Sequence, residues 1–440
     1  MTAINLLFKN SRPLKYFIFR LTCVVIAVMM TSCEQNATTP NEPPKPPGYQ
    51  EDIYWPSLAD SPWPMYQHDP QYTGRSNYKG PQNGQIINEF TFTGFAEFSG
   101  ILVSKNNEIY FTALNLSSLN NPSVLLSKLN ANFNLLWNLD VSLNGSTEIM
   151  AKPILDYHDN IYTGAYAGYL ISSDSSGKVN WIYDTNEVIT CGFAGINLDK
   201  YGNIYFSTTN SFYKLDKLGS KLFELSEYHS SPIVFDPYGT NLFCINNSNG
   251  LDALNLNGDL IWHYPFTSYW SPIPICDSDG NIYLSENDST FISVDSKGNL
   301  RWKYFIEREN GNNSNDRIET HSVSAIDKNG NIFFRTIYSL YSLDYSGKLR
   351  WFIELPDAEG STLLCDVEGT IYTATFGWDN TSGARLYSIS NSGVINWETS
   401  FGTGVYIRGN SFALSSDGSL FIMITNMNSI PYNSKLLVIK

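Results

Sequence analysis

Helical periodicity is missing from this chain of 440 residues: no stretch sustains the 3.6-residue apolar spacing of an amphipathic helix, so almost no helix is expected. A membrane-spanning run is missing from its N-terminal region as well, where the apolar stretch Leu21 to Met30 is too short to cross a bilayer unaided. Basic residues are scarce. Lys and Arg number 28 against 42 Asp and Glu, a net charge of −14. So acidic a surface argues against nucleic acid as a partner and against adsorption to anionic lipid. The 6 cysteines form no Cys-x-x-Cys, no Cys-x-x-Cys-His and no adjacent pair, which leaves haem and redox readings without support.

What is present is a repeat. An Asn/Gly turn runs into a Leu/Ile-Tyr/Phe pair ending at Tyr110, Tyr162, Tyr205, Phe243, Tyr283, Phe333, Tyr372 and Phe421. The fullest copies are Asp277-Ser-Asp-Gly-Asn-Ile-Tyr283 and Asp327-Lys-Asn-Gly-Asn-Ile-Phe333. A Gly-x-x-x-Trp phrase follows in Gly177…Trp181, Gly258…Trp262, Gly298…Trp302, Gly347…Trp351 and Gly393…Trp397, with Trp137 a sixth copy lacking the Gly. Copies lie roughly 40 to 50 residues apart, the length of one four-stranded propeller blade. An all-β, eight-bladed β-propeller of antiparallel four-stranded blades is therefore expected, or seven blades if one weak copy is an insertion. Gly84 to Phe90 reads as a Gly…Trp strand with Phe in place of Trp, and Ser434 to Lys440 as a third strand lacking a fourth. Pairing the two in the last blade closes the ring and hides two edges.

The first 32 residues carry Lys9, Arg12, Lys15 and Arg20 with no acid, then the short apolar run, then Met30-Thr-Ser-Cys33. This is a secretory leader ending in a sequence that resembles a bacterial lipobox, with Met30 and Thr31 departing from the usual form. Residues 1–32 are expected as a lipoprotein signal peptide and Cys33 as the lipidated, palmitate-bearing residue; an ordinary cleaved leader is the alternative. Acyl chains on Cys33 would anchor the mature chain stably. Removing the leader takes four positive charges and no negative one, leaving −18. Residues 33–60, with Pro40, Pro43, Pro44, Pro46 and Pro47, read as a semi-rigid tether, 61–83 as a lead-in segment and 84–440 as the propeller. Glu34 stands where some Gram-negative bacteria read a sorting signal and is not the inner-membrane retention residue Asp, so the outer membrane is favoured.

Alignment on the turn Asp puts Glu97, Glu148, His229, Tyr269, Trp270, Glu319, Glu359 and Arg408 at the starts of innermost strands, with His321 one residue further in. These should ring one mouth of the channel. Four Glu around an axis suit a cation such as Ca²⁺. Tyr269 and Trp270 beside a charged group suit a sugar or a flat ring. A solvated rim without ligand is the simpler alternative. The repeated Asp156, Asp199, Asp277, Asp327 and Asp366 read as hairpin-turn residues rather than calcium loops, and the Trp set as packing between blades. His68 and Asp69 make a pair with no nucleophile nearby in sequence. Cys23 leaves with the leader; Cys191, Cys244, Cys276 and Cys365 are expected as buried free thiols, the last two at one repeat position but two blades apart.

With Ser61-Pro-Trp-Pro-Met-Tyr-Gln-His-Asp-Pro-Gln-Tyr-Thr-Gly-Arg-Ser76 ahead of the Gly…Trp repeats, the chain over about residues 61–440 resembles the PQQ-like β-propeller repeat family. The resemblance implies one of two kinds of protein. Quinoprotein dehydrogenases of the family hold PQQ over Ca²⁺, often beside an adjacent-Cys disulfide, and none of those residues aligns onto this chain. The lipoprotein branch, of the BamB type, is non-enzymatic and helps assemble outer-membrane barrels; it matches in length, Cys-anchored start and repeat number. The expectation is accordingly a monomeric, non-catalytic envelope lipoprotein without cofactor that binds envelope or outer-membrane proteins. The alternatives are a PQQ- or other ligand-binding protein and a carbohydrate-binding surface lipoprotein.

Overall fold

The Asp-Gly-Asn phrase folds into the same hairpin in blade after blade, and one carboxylate organises it. In the computed structural model, Oδ1 of Asp277 accepts the backbone N–H groups of Asp279 (2.9 Å) and Asn281 (2.7 Å), while Oδ2 accepts Nδ2 of Asn281 (2.8 Å) and Oη of Tyr283 (2.7 Å). Asp199 repeats all four bonds with Tyr201, Asn203 and Tyr205, and Asp156 does so with His158, Asn160 and Tyr162. The phrase thus ties a turn, its following strand and a buried phenol to one side chain. The described residues are 45–440 except 96–99, 116–122, 144–150, 166, 191–194, 227, 229–230, 247–249, 267–271, 307–315, 319–322, 356–362, 378–382, 408–411 and 429–431.

These residues form 33 strands and no α-helix. They assemble into an all-β, eight-bladed propeller. Blade 1 contains Ile101–Val103, Ile109–Asn115, Ser123–Leu129 and Leu135–Asp140. Blades 2 to 7 follow in order, from Ala151–Leu155 at the inner edge of blade 2 to Ile395–Ser400 at the outer edge of blade 7. Blade 8 takes Phe412–Leu414, Leu420–Asn426 and Asn433–Ile439 from the C-terminus and Ile86–Phe95 from the other end of the ring. That closing strand runs antiparallel to the last one, from Ile86 opposite Ile439 to Thr93 opposite Asn433. Its far end then crosses to the next blade, with Gly94 and Phe95 opposite Asn115 and Leu114. One strand therefore stitches two blades together, which removes the edges expected to be hidden.

Burial follows the radius. Innermost and second strands are buried on both faces, whereas outer strands such as Val179–Asp184 alternate half-buried and exposed. Each outer strand of blades 1 to 7 carries a bulge one step before its Trp or Phe position, for example where Ser172 and Ser173 meet Trp181 and Val179. The Trp then lies over the glycine of the next blade. Its indole N–H donates to a carbonyl there, Trp137 to Ser175 (3.2 Å), Trp181 to Lys217 (3.1 Å) and Trp351 to Asn391 (2.8 Å).

One seam departs from the sequence reading. The bulge between Ile86 and Asn88 keeps the Gly-plus-four spacing, so Asn88, opposite Val438, occupies the Trp position and Phe90 does not. Asn88 is exposed. The following blade compensates: at its turn glycine position stands Phe133, in the left-handed region (φ 64°), its ring 5.8 Å from that of Phe421. The large group has moved to the other side of the seam.

Candidate functional site

Each innermost strand pairs with a single neighbour, so its other edge faces the central channel with unpaired backbone groups. In six of the blades residues 63–76 satisfy those groups. The carbonyls of Trp63, Pro64, Pro70, Gln71, Thr73 and Gly74 accept the N–H groups of Val103, Leu155, Phe235, Cys276, Ile326 and Cys365 at 2.8–3.0 Å. Those donors end the innermost strands of blades 1, 2, 4, 5, 6 and 7. Blade 3 joins through Asn197, whose Nδ2 donates to Pro70 O (3.1 Å). The segment is thus a plug, coiled inside the channel at the end where the Asp turns lie.

The residues before it make a second, outer lap in the opposite direction. Gln50 N–H reaches Lys328 O (2.9 Å) in blade 6, Trp55 Nε1 reaches Leu198 O (2.8 Å) in blade 3, and Ser57 O accepts from Tyr157 N–H (2.9 Å) in blade 2. Asp60 meets Lys105 of blade 1 at 3.0 Å. The tether was expected to run to residue 60, but from Gly48 onward the described chain is held by the ring. Proline content alone does not separate a free spacer from a strap whose partners are distant in sequence.

The plug is filled with side chains. Trp63, Met65, Gln67 and Tyr72 are each no more than 1 % exposed. Lys152, equally buried, sets its ammonium 4.2 Å from the centre of the Tyr66 ring, a cation–π contact. Gln67, His68 and Tyr72 adopt left-handed backbone (φ 57°, 74° and 56°), a conformation that persists in such residues only where the surroundings dictate it. Asp69 supplies much of that constraint by accepting Gln71 N–H (3.1 Å), Thr73 N–H (3.0 Å), the Thr73 hydroxyl and the His68 ring (3.3 Å). Burial alone would raise its pKa, but the bond and charge of His68, with the Thr73 donors, outweigh it and hold the carboxyl below the usual range. The His68–Asp69 pair is spent on loop geometry.

Sequence reasoning missed the plug because nothing in the repeat answers to it. The available signal was density: five aromatic or sulfur-bearing apolar side chains among Trp63, Met65, Tyr66, Tyr72 and Tyr78, in a segment with no strand alternation. The residues expected to ring one mouth of the channel, Glu97, Glu148, His229, Tyr269, Trp270, Glu319, His321, Glu359 and Arg408, lie outside the described residues, as do Cys33 and Cys191. Cys244, Cys276 and Cys365 are free and buried, and burial pushes their thiols well up.

No family model matches the chain, and no curated protein matches it either. Among solved structures, BamB from Moraxella catarrhalis is similar at 14 % sequence identity and a TM-score of 0.41, over 64 % of this chain and 94 % of that one.

At the turn-side mouth PQQ and Ca²⁺ do not fit. The space is occupied by the plug, and its carboxylate is already saturated by four donors. The side-chain amide of Gln67 and Nη1 of Arg75 are buried without a hydrogen-bond partner among the described residues. Among the described residues no three His, Cys, Asp or Glu side chains converge as metal ligands. What the arrangement offers chemically is a rigid ring with its own chain sealed into one mouth.

Proposed function

We propose that the chain is a lipid-anchored, non-catalytic propeller that serves as a protein-interaction scaffold in the bacterial envelope, at the outer membrane and in support of outer-membrane protein assembly. The observation that carries this reading is the plug. A channel filled from one end by residues 63–76, with its His–Asp pair committed to the loop, leaves outer surfaces rather than that mouth for recognition. The leader, the lipobox-like Met30-Thr-Ser-Cys33 and Glu34 support the anchor and its membrane. The acidic balance, −14 before the leader is removed, supports proteins over nucleic acid as partners.

The test is crosslinking of the lipidated protein in its own membranes, followed by mass spectrometry of everything retained. Barrel-assembly or other envelope proteins, present with the wild type and lost with surface-loop variants, are the expected result. A Cys33→Ser variant should lose both palmitate label and membrane association. Retained quinone, metal or glycan with no protein partner would overturn the scaffold reading.

A further inference from the structure

Four tyrosines project from the turn-side face: Tyr54, Tyr157, Tyr201 and Tyr238 are 76, 59, 78 and 69 % exposed. One belongs to the outer lap and three to the Asp turns of blades 2, 3 and 4. A run of short bonds ties their bases into one patch. Tyr157 N–H donates to Ser57 O (2.9 Å), and Ser57 Oγ donates to Asp199 O (2.5 Å). Lys200, beside Tyr201, donates to the carbonyl of Pro237, beside Tyr238 (3.0 Å). The same ammonium lies 4.9 Å from the centre of the Trp55 ring, next to Tyr54. The turn itself does not require these rings. The residue two after the turn Asp is Tyr201 in blade 3 and Tyr238 in blade 4, but Asp279, Asn329 and Glu368 in blades 5, 6 and 7, and the hairpin bond forms in all five. Together the four tyrosines present on the order of 500 Å² of side-chain surface, the size at which a contiguous exposed patch marks an interaction site.

We propose that this patch rests on the surface of the bilayer to which Cys33 anchors the chain. The occupant follows from where the tether ends. The described chain joins the ring on this same face, where Gln50 N–H donates to Lys328 O (2.9 Å) and its side-chain oxygen accepts Ser278 N–H (2.9 Å), both in Asp turns. From Cys33 to Gly48 the chain can extend at most about 50 Å, so an acyl chain on Cys33 draws the turn-side face toward the membrane. Tyrosine suits that surface, because its ring enters the interfacial layer while its hydroxyl stays wet. Charge selects the lipid. The net −14 gives no attraction to anionic headgroups, and the ammonium of Lys200 is spent on Pro237 O, so the contact is with zwitterionic lipid. Four rings are too few to hold a free chain; the tether makes the contact intramolecular, at a high effective concentration. The inference rests on the anchor in the reading above and orients the scaffold, turn side to the membrane and blade circumference to partners.

The test is hydroxyl-radical footprinting, read residue by residue by mass spectrometry. The lipidated protein is added to preformed phosphatidylcholine vesicles and compared with the Cys33→Ser chain in the same suspension. Oxidation of the four tyrosines should be at least fivefold slower in the anchored protein. Phe305 and Phe352, exposed on the outer strands of blades 5 and 6, should react equally in both and serve as the internal reference. Joint replacement Tyr157→Ser, Tyr201→Ser and Tyr238→Ser should leave Tm and vesicle association unchanged and return Tyr54 to within twofold of its unanchored rate. Tyrosines that react alike in anchored and free protein overturn the docking and leave the anchor standing. A chain that does not stay with the vesicles overturns both. Protection found in the protein's own membranes but not on phosphatidylcholine assigns the patch to a protein partner and overturns the bilayer contact, as does a Tyr54 still protected in the triple variant. Crosslinking that retains no partner, with the tyrosines protected on vesicles, counts against the scaffold alone.

Discussion

Gly298 shows how much one residue type decides at the seams. Its φ is 84°, and an added Cβ would lie 2.8 Å from Cδ2 of Trp262, whose Nε1 already bonds Ser296 O at 3.0 Å. An alanine there meets both a left-handed backbone and an overpacked indole, each costing about 1–3 kcal/mol. Gly298→Ala should therefore destabilise the protein by ~2–4 kcal/mol, read from denaturant midpoints, and the Trp262 fluorescence should shift as its ring is displaced. A change under about 0.5 kcal/mol would mean that the indole moves aside freely. The Gly…Trp phrase was legible because both halves of this contact are distinctive residues at fixed spacing. The exchange of Asn88 and Phe133 was not legible, because a bulge moves the register by one and no residue type marks a bulge.

At the scale of elements, blades and plug are held by different means. A blade forms from contiguous sequence, so its turn, strand order and pairing are written locally, and the repeat revealed them. The plug has no local structure to prefer. It is defined by carbonyls meeting N–H groups that lie between about 40 and 290 residues away, distances at which no spacing argument operates. Those six ring amides, of Val103, Leu155, Phe235, Cys276, Ile326 and Cys365, are consequently a report on the plug. Tyr72 is fully buried at its centre, and Tyr72→Ala should cost about 3–5 kcal/mol. Hydrogen exchange should accelerate at the six amides in that variant while the ladders between second and third strands keep their protection. Uniform acceleration across the blades would instead make the plug part of one cooperative unit with the ring. The same measurement bears on the lead-in segment, whose expected boundary at residue 61 falls inside the outer lap.

On the scale of the whole molecule, the recurring Asp–Tyr bond makes the ring sensitive to alkali. Tyr162, Tyr205, Tyr283 and Tyr372 belong to blades 2, 3, 5 and 7, and each donates its hydroxyl to the turn Asp six residues earlier. Burial, then the charge of that Asp, raises every one of these phenols above the ordinary value of 10.0. A group whose folded pKa is raised contributes stability that is whole below its unfolded pKa and is lost as pH climbs toward the folded one. Below pH ~10 the four phenols therefore support the fold fully, and above it each removes about 1.4 kcal/mol per pH unit. Four such groups act together, so unfolding should set in within one or two pH units of that point and with a steep pH dependence. Absorbance at 295 nm should show part of the 28 tyrosines ionising smoothly and the rest only in the step where the near-ultraviolet circular dichroism collapses. Tyr283→Phe should remove one phenol's share of that alkaline slope, about 1.4 kcal/mol per pH unit, and leave the neutral-pH fold in place, since Phe243 and Phe333 already occupy the equivalent position in blades 4 and 6. Smooth ionisation of all tyrosines in a protein that stays folded would show that water reaches the Asp–Tyr pairs, and that the turns are held by their backbone bonds alone.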